Sequence, residues 1–540
     1  MKTIIVSVLC MTTMSISAQT VDLNADALEG LDLDYLGTAP DGGEVKVYSD
    51  LTYWNLFSMR QKGWNGGVGA TSISMPDGNV FWAFGESQFG RISEFRNRTK
   101  NNNTVHNAAM VQTGEASERD FVTLNGYISV TPQKSSVYYT GKTWLRHPDA
   151  SYSEQYIDAG LIDRDHLYYP LDGTVLQSSS GCVLQLMVRG YDADGNVTDN
   201  SVARFAVNGE TPADGYLTLL GIDRDVIPAG QPYGVTLLED GGHIYLYGEV
   251  STGKTFGGTW PVVARTSTRD LTSVWEYYVN DEQGVGNWQT VPPTIEELQR
   301  SSITTSNIVG RAVHPSVFSY GGKYYMCMQN TADGSICISQ SETPYGPFAS
   351  RKVLYTIPQE MRTASRVTVH PQLSRMGELV LSYNMDPADI TVYVKGDDGS
   401  GEEKTLTGTA RKTNAWGSAN LNQTHFLRFF NWQSMFGVEN AGPIQDAGLE
   451  WTETGIDTVT DNSGWNAFHV YPRTVSTTFC IDAETTADYS WQLLSSSGTV
   501  VRQGKACGNC IIEVEGLPKG IYVVRVGSGN ALTIEKLLKN

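Results

Sequence analysis

Short apolar runs that end in a glycine or a polar cluster recur along this chain, and they favour β-strands over helices. The clearest pattern covers residues 63–89, in which ATSISM predicts a strand, PDGN a tight turn and VFWAFGES a second, aromatic strand. Antiparallel strands joined by a tight turn place the start of the first strand beside the end of the second. We therefore expect GWNGGVG and GES to lie at one edge of a single hairpin.

The second strand of this hairpin has counterparts further along the chain. The similar strands are WAFGES (82–87), LQLMVRG (184–190), IYLYGEV (244–250), YYMCMQN (324–330) and LVLSYNM (379–385). Wide spacing with few amphipathic helical stretches is typical of small antiparallel sheets repeated around an axis. We predict an all-β fold, a five-bladed β-propeller, whose second to fifth blades start at HNAAMVQ (106–112), PYGVTLLED (232–240), AVHPSVFSY (312–320) and VTVHPQLS (367–374).

Changes in composition divide the chain into five segments. Residues 46–435 are predicted to form the propeller, with VKVYSDLTYWNLF (46–57) as an outer strand that closes the ring against HFLRFFNW (425–432). The other segments are a signal peptide (1–18), an acidic and irregular lead-in (19–45), an acidic linker (436–465) and a small β domain (466–540). We expect the last segment to be an immunoglobulin-like β-sandwich.

Charge and hydropathy exclude several classes of partner. The formal net charge is −19 and the sequence pI is about 4.9, whereas nucleic acid and anionic membranes both require clustered Lys and Arg. No segment after the signal peptide reaches about 18 consecutive apolar residues, so no transmembrane segment is expected. The sequence therefore predicts an acidic, exported protein that binds neither nucleic acid nor the bilayer.

Export permits disulfide bonds among the cysteines. Cys327 and Cys337 flank the turn NTADGS on adjacent predicted strands, and we expect that they can pair across this hairpin. Cys507 and Cys510 have the CxxC spacing, but no second CxxC and no histidine cluster accompanies them. A local disulfide or two inert thiols is the better interpretation than a zinc site.

The C-terminal segment resembles the C-terminal sorting domain of type IX secretion. VYPRTV, SSSGTVV, GLPKGIYVVRV and the terminal KLLKN follow the pattern of that family in order, with Arg473-Thr474 where the family usually has Asn-Pro. The resemblance implies that the type IX machinery is a partner. It also implies passage through the periplasm and outer membrane, removal of the tail, and release or attachment at the cell surface. An ordinary immunoglobulin-like accessory module is the alternative.

Residues 46–432 resemble a secreted bacterial propeller family, the domain of unknown function 5005. The resemblance lies in GWNGG-x-GATS, MPDGNVFWAFGES, HNAAMVQ, YYPLDG, DGGHIYLYGEV, WEYY, YGPF, HPQLS and LSYN. That family looks distantly similar to the five-bladed furanosidase propellers, which are arabinanases, invertases and endo-D-arabinanases. The furanosidase pattern has GGDG and FGD where this chain has GGVG and FGE. Val68 cannot act as a base, and Glu86 is a longer acid than Asp.

The inner strands of a propeller start at one mouth, and the ends of the second strands lie beside them. Cleavage of a glycosidic bond needs one carboxylic acid that protonates the leaving oxygen and one carboxylate that acts as base or nucleophile. Glu86 and Glu249 are the predicted catalytic pair; alternatively, each ends a strand and contacts water or an arginine. The residues predicted to bind substrate are Trp64, Asn65, His106, Asn107, Arg189, Tyr233, His314, His370, Tyr383 and Asn384.

His314 and His370 each precede a proline at the start of a predicted inner strand. This repetition favours a role in blade structure, such as a hydrogen bond to the neighbouring blade; a contact to a central metal or a substrate hydroxyl is the alternative. GGVGATS lacks the Gly and Lys of a phosphate-binding loop, and HExxH and G-x-S-x-G do not occur. We expect no cofactor and no metal.

Two functions are consistent with these patterns. The first is a secreted glycoside hydrolase that acts on furanoside-containing glycans by a two-carboxylate mechanism. The second is a non-catalytic glycan-binding or surface-adhesion propeller, in which Val68 in place of Asp has removed turnover. In both cases a polysaccharide is the partner, because aromatic rings at a propeller mouth stack on sugars.

Overall fold

Strands dominate the part of the chain that the computed structural model describes. The described residues are 31–58, 62–92, 98, 102–113, 121–126, 141–150, 165–178, 181–208, 215–251, 258–305, 312–330, 333–358, 365–374, 377–385, 390–395, 401–406, 423–438, 444, 468–471, 474–475, 477–483, 488–495, 500–528 and 531–539. Their α-helices are α1 (Leu51–Ser58) and α2 (Ile295–Arg300), and neither is long and apolar enough to cross a bilayer. The all-β prediction is confirmed for these residues, whereas the predicted signal peptide and most of the predicted linker lie outside them.

The strands before residue 438 belong to seven sheets. In chain order they are β1 (Leu33–Ala39), β2 (Gly42–Asp50), β3 (Lys62–Gly67), β4 (Thr71–Ser74), β5 (Val80–Phe84), β6 (Ser87–Arg91), β7 (Asn103–Val105), β8 (Ala108–Gln112), β9 (Phe121–Thr123), β10 (His166–Ser178), β11 (Gly181–Asp192), β12 (Val197–Val207), β13 (Leu217–Ile227), β14 (Tyr233–Asp240), β15 (His243–Ser251), β16 (Thr259–Thr266), β17 (Trp275–Asn280), β18 (Gly286–Gln289), β19 (Ala312–Tyr320), β20 (Lys323–Asn330), β21 (Ser335–Ser341), β22 (Ala349–Thr356), β23 (Ser365–Val369), β24 (Glu378–Met385), β25 (Ile390–Lys395), β26 (Gly401–Leu406) and β27 (Gln423–Phe430).

Five of the sheets are antiparallel and arranged around a shared cavity. Their strand orders are β4-β5-β8-β9, β10-β11-β12-β13, β14-β15-β16-β17-β18, β19-β20-β21-β22 and β23-β24-β27-β2-β1. The first strand of each sheet lines the cavity. A buried apolar cluster lies between each sheet and the next, and a further cluster lies between the fifth sheet and the first. Each sheet thus buries both faces against its neighbours, which is the main apolar contribution to stability.

The first hairpin has the predicted geometry. β4 pairs with β5, and β3 pairs with β6, so that Gly67 lies opposite Ser87. At this edge the Val68 N–H donates to the Glu86 carbonyl at 2.9 Å, and the Gly85 N–H donates to the Val68 carbonyl at 2.8 Å. The expectation that GWNGGVG and GES share one edge is confirmed.

The prediction that HNAAMVQ starts the second blade is wrong. These residues lead into β8, which pairs with β5 and β9 and is the third strand of the first sheet. The first strand of the second sheet is β10, which contains YYPLDG. A short, fully buried apolar run has no periodicity that distinguishes an inner strand from an outer one. The starts predicted for the third and fourth sheets coincide with β14 and β19, whereas VTVHPQLS (367–374) overlaps only the last three residues of β23.

The fifth sheet joins both ends of the region. β2 pairs with β27, with Lys46 opposite Phe430, as the sequence predicts. The second half of the predicted outer strand, residues 51–57, forms α1 instead, because the Asp50 carboxylate accepts the Tyr53 N–H at 3.0 Å as a helix cap does. The predicted irregular lead-in is wrong for residues 33–45, because Leu33–Ala39 forms β1 against β2.

Each first strand of the second to fifth sheets has a register shift near its start. The shifts lie between Pro170 and Gly173, Tyr233 and Thr236, Val313 and Ser316, and Ser365 and Thr368. Such a bulge redirects a side chain and breaks the alternation of faces along the strand. The residues at these shifts are therefore the ones that sequence alternation assigns wrongly.

Two further sheets lie in the C-terminal part of the chain. Their strands are β28 (Phe468–Tyr471), β29 (Thr474–Val475), β30 (Thr478–Ala483), β31 (Asp488–Ser495), β32 (Val500–Cys507), β33 (Cys510–Glu513), β34 (Gly520–Ser528) and β35 (Ala531–Lys539). The orders are β28-β30-β33 and β29-β35-β34-β31-β32, and one apolar cluster contains residues of both sheets. The segment is a small β domain, as predicted, and its immunoglobulin-like topology stays a prediction.

The predicted pairing of Cys327 with Cys337 is wrong. In the β20–β21 ladder, Cys327 lies opposite Ile338, and Cys337 lies opposite Met328. Successive residues of a strand face opposite sides of a sheet, so the two sulfur atoms point away from each other. Both cysteines are free thiols, and so is Cys510.

Candidate functional site

The loop between β3 and β4 is held against three other parts of the chain. The Tyr169 hydroxyl donates to the Val68 carbonyl at 3.0 Å. From the fifth sheet, the Asn384 amide accepts the Gly69 N–H at 2.6 Å and donates to the Gly67 carbonyl at 2.8 Å. Together with the Val68–Glu86 backbone pair, these bonds fix the loop at the start of the first inner strand.

Tyr169 and Arg366 form a stacked pair beside this loop. The guanidinium carbon of Arg366 lies 4.1 Å from the centre of the Tyr169 ring, a cation–π distance. Gly85 allows the ring to lie there, because a Cβ at that position would come within 2.0 Å of the ring. Burial raises the pKa of Tyr169 to about 12, although Arg366 opposes the shift. Tyr169 therefore stays a neutral hydroxyl at physiological pH.

Glu249 lies near the end of β15, the strand of the third sheet next to its inner strand. Its Oε2 accepts the Thr259 hydroxyl and the backbone N–H of His314, each at 3.3 Å. Burial raises the pKa of the Glu249 carboxyl, while these two hydrogen bonds and the nearby Arg366 and Arg189 oppose the rise. A raised pKa favours the protonated acid, and the surrounding donors stabilise the carboxylate that remains after the proton leaves.

Arg189 approaches Glu249 from the second sheet. Its Nε donates to Asn200 Oδ1 at 2.9 Å, and one terminal nitrogen donates to the Tyr233 carbonyl at 3.0 Å. Burial lowers the pKa of Arg189, and the nearby Arg366 lowers it further, whereas Glu249 raises it. Arg189 is thus a positioned cation beside the candidate acid.

His314 is a half-buried histidine among these charges. Burial, together with Arg366 and Arg189, lowers the pKa of His314 well below its ordinary value, so the ring is neutral. Its φ is +59°, and the φ of Arg366 is +62°, a region that few residues other than glycine adopt. Two such residues on consecutive inner strands indicate a conformation held in place by its surroundings, as is common at functional sites.

Six side chains are therefore brought together where the inner strands start. This set, called the mouth cluster below, comprises Glu86, Tyr169, Arg189, Glu249, His314 and Arg366. The Glu86 side chain is exposed, and its charge acts on Tyr169 and on the buried Arg98. Glu86 thus acts electrostatically on Tyr169, and Arg366 on Glu249, which places both predicted carboxyl groups near the Tyr169–Arg366 pair.

Most of the other residues predicted to bind substrate are buried outside the mouth cluster. They are Trp64, Asn65, Asn107, Tyr233, His370, Tyr383 and Asn384. His106 is half-buried and precedes β8, and its N–H donates to the Thr143 hydroxyl at 3.5 Å. Direct contact of these residues with a substrate stays a prediction.

The buried polar residues of this group bind other parts of the protein. The Asn107 amide donates to the carbonyls of Leu145 and Tyr168 at 2.8 and 2.9 Å and accepts the Leu145 N–H. Asn65 accepts from Arg98 at 3.0 Å. Because their polar atoms are used in this way, these side chains position backbone and have no group left over for a sugar.

His370 connects two neighbouring sheets. Its Nδ1 lies 2.6 Å from the Ser72 hydroxyl of the first sheet, and its Nε2 lies 2.8 Å from the Ser382 hydroxyl of the fifth. Burial lowers the pKa of His370 to about 3, so the ring stays neutral. The blade-structural interpretation is confirmed for His370, whereas His314 belongs to the mouth cluster.

The aromatic members of the group lie in apolar clusters. Trp64 packs edge-on against Phe57, Tyr233 packs against Tyr277, and Tyr383 stacks on His425. Burial raises the pKa of Tyr233 and of Tyr383. These rings stabilise the sheets and do not face the mouth.

Sequence reasoning missed Tyr169 and Arg366. Tyr169 lies in YYPLDG, on the strand that the wrong blade assignment hid, and Arg366 lies four residues before the histidine chosen for the fifth blade. The signal for Arg366 was available, because it directly precedes the apolar alternation of VTV. Among the described residues no group of three or more His, Cys, Asp or Glu side chains is placed to hold a metal ion.

Comparison with known proteins agrees with this architecture. A family model described as "Domain of unknown function (DUF5005)" matches residues 50–432, and one described as "Secretion system C-terminal sorting domain" matches residues 469–540. The sorting domain directs the chain through type IX secretion to the cell surface or the extracellular space. No curated protein matches the chain.

Several solved structures are similar. The structure of "a putative hydrolase from Bacteroides ovatus ATCC 8483" is 33% identical, with 76% of this chain and 96% of that chain covered and a TM-score of 0.63. The RS223 β-xylosidase is 12% identical, with 64% and 97% covered and a TM-score of 0.34. The GH43_1 enzyme from Xanthomonas citri, complexed with xylose, is 14% identical, with 65% and 95% covered and a TM-score of 0.31.

Proposed function

The chain belongs to the DUF5005 family, and we propose that it is a secreted glycoside hydrolase that cleaves furanoside-containing glycans with Glu249 and Glu86. In this proposal the five sheets are the blades of one propeller, and the mouth cluster is its active site. One observation carries the proposal: Glu249 is a half-buried carboxyl that accepts hydrogen bonds from Thr259 and the His314 N–H beside two guanidinium groups, and burial raises its pKa. The similar structure described as a putative hydrolase supports the same class of reaction.

Glu249 is the proton donor in this mechanism. Its protonated carboxyl gives a proton to the glycosidic oxygen as the bond to the anomeric carbon breaks. The resulting carboxylate is stabilised by the His314 N–H, the Thr259 hydroxyl and the two arginines. The same contacts oppose the rise in the pKa of Glu249, so they favour the charge that develops in the transition state.

Glu86 is the second carboxylate. It is exposed at the end of β5, and therefore accessible to water. It either takes a proton from the water that attacks the anomeric carbon or attacks that carbon itself. Proton NMR of the first product shows whether the anomeric configuration is inverted or retained. Inversion indicates the first role, and retention of configuration indicates the second.

A substitution at Glu249 tests the proposal. Glu249→Gln keeps the shape of the side chain and removes its proton, so release of oligosaccharide from a glycan panel should fall about 10²–10⁴-fold while glycan retention persists. Glu342→Gln is the matched control, because Glu342 is 74% exposed in a surface ion pair with Lys323. Cleavage at the wild-type rate by Glu249→Gln would show that another group is the acid.

A non-catalytic glycan-binding protein is the second candidate, and Val68 favours it. Val68 occupies the position at which the furanosidase pattern has Asp, and its backbone is fixed beside Glu86. If the base has been lost, wild type should retain a glycan on an affinity gel without releasing oligosaccharides. Val68→Asp would then introduce slow turnover, whereas Val68→Asn, which has the same size and no charge, would not.

A further inference from the structure

We infer that the mouth cluster binds an anionic group of its glycan, a uronate carboxylate or a sulfate ester, on the guanidinium groups of Arg366 and Arg189. The inference rests on the proposed glycan-directed function and specifies the class of glycan. The arrangement of charged groups around the two arginines supports it.

Neither arginine has the carboxylate partners that the buried Arg428 has. Arg428, in the fifth sheet, has two carboxylates at 2.6 and 2.7 Å. Within the part of the chain that the structure describes, no carboxylate lies within ion-pair distance of Arg366 or Arg189. Arg366 instead stacks on Tyr169, and Arg189 donates to an amide and a carbonyl.

The nearby acids do not form ion pairs with the two arginines. Glu249 accepts hydrogen bonds from the Thr259 hydroxyl and the His314 N–H, and the charge of Glu86 also acts on the buried Arg98. Two guanidinium groups thus lie near each other at the mouth, in a chain whose formal net charge is −19.

The geometry suits an oxyanion. Gly69 has a φ of +72°, and a Cβ there would lie 3.2 Å from a terminal nitrogen of Arg366, so the glycine leaves room beside the guanidinium. Arg366 is held in a sparsely populated backbone conformation, with its planar group already fixed on the Tyr169 ring. A guanidinium fixed in this way matches the two oxygens of a carboxylate or sulfate with little further loss of freedom.

Affinity electrophoresis of the wild-type chain tests the inference. The gels contain polygalacturonate, carboxyl-reduced polygalacturonate, dextran sulfate or linear arabinan. We expect retention by an anionic polymer to exceed retention by both neutral polymers at least about tenfold, and to weaken as NaCl rises from about 50 to about 500 mM. Retention by polygalacturonate alone identifies a carboxylate as the bound group, and retention by dextran sulfate alone identifies a sulfate. Retention by both polymers identifies the anionic chemistry that they share. Because the chain is acidic, nonspecific attraction to these polymers is opposed.

Variants locate the binding. Arg366→Gln should weaken retention at least about tenfold, and Arg366→Lys, which keeps the charge but loses the planar fork, should weaken it less. Arg300→Gln is the matched control, because Arg300 is part-exposed on α2 and its loss changes the net charge equally. Equal retention by neutral and anionic polymers, retention by none, or no effect of Arg366→Gln overturns the inference. The comparison of polymers uses wild type, so it decides the question even if a variant misfolds.

The same experiment separates this inference from the proposed function. Retention of an anionic polymer without oligosaccharide release would support the anion site and reject hydrolysis of that polymer. Cleavage of a neutral glycan, with no preference for the charged polymers, would support hydrolysis and reject the anion site.

Discussion

The fifth sheet contains a buried ion network that should contribute strongly to the stability of the five-sheet region. Arg428 on β27 donates to Asp50 at 2.6 Å and to Glu378 at 2.7 Å, and all three side chains are at most 3% exposed. Asp50 ends β2, near the start of the region, whereas Glu378 begins β24. The network therefore fastens strands from both ends of the region to each other.

Arg428→Met should lower the free energy of unfolding by about 3–5 kcal/mol. The substitution removes the guanidinium that pairs with two buried carboxylates, and breaking one buried pair already costs about that much. Domains are typically stable by only about 5–15 kcal/mol, so the loss is a large fraction of the total. With an m-value of about 3 kcal/mol per M, the urea midpoint should fall by roughly 1–2 M.

Urea denaturation followed by tryptophan fluorescence measures this effect. Lys323→Met is the matched control, because the Lys323–Glu342 pair has the same 2.7 Å separation but side chains that are 37% and 74% exposed. A surface pair contributes about 0–1 kcal/mol. Adding Asp50→Asn and Glu378→Gln to Arg428→Met should recover part of the loss. A midpoint for Arg428→Met equal to that of Lys323→Met would refute the reasoning from burial.

Three further outcomes are expected. Because burial raises the pKa of Glu249, the basic limb of the pH profile of kcat/KM should report a pKa above the ordinary range of a glutamate. This limb should disappear in Glu249→Gln, and a limb within the ordinary range would contradict the assignment. Alkylation of denatured, non-reduced mature protein should label Cys327 and Cys337 fully, and an unlabelled pair 2 Da lighter would contradict the strand register. Gly85→Ala should displace Tyr169 and abolish glycan retention or turnover, because the added Cβ overlaps the Tyr169 ring. Gly230→Ala, with open space around its Cβ, should keep both activities. Normal binding by Gly85→Ala would place the sugar elsewhere.

Local pattern was sufficient to predict the hairpins and the export address. The alternation of ATSISM and VFWAF, with PDGN between them, predicts β4, β5 and their shared edge, because the turn and the strand period are set by neighbouring residues. The motifs of the tail are likewise contiguous in sequence. Glu249 was identified for the same reason, since it directly follows an apolar strand and a glycine.

Other features depend on contacts between residues distant in sequence. LTYWNLF has an aromatic content typical of a strand, yet it forms α1 because Asp50 caps it and its rings pack against the first and fifth sheets. β8 was assigned to the wrong sheet because its composition does not show that it pairs with β5.

The mouth cluster was decided by the tertiary structure. In the second to fifth sheets, a bulge near the start of the inner strand shifts the alternation of faces. In the third sheet, Gly234 has a positive φ and Tyr233 turns into the core. The same irregularity in the fifth sheet brings Arg366 to the mouth and leaves His370 between two sheets. The sequence alone determined the first hairpin and placed two glutamates near the ends of strands. Only the packing of five sheets around one cavity determined which side chains meet there, because strand register and bulges arise from pairing across the chain.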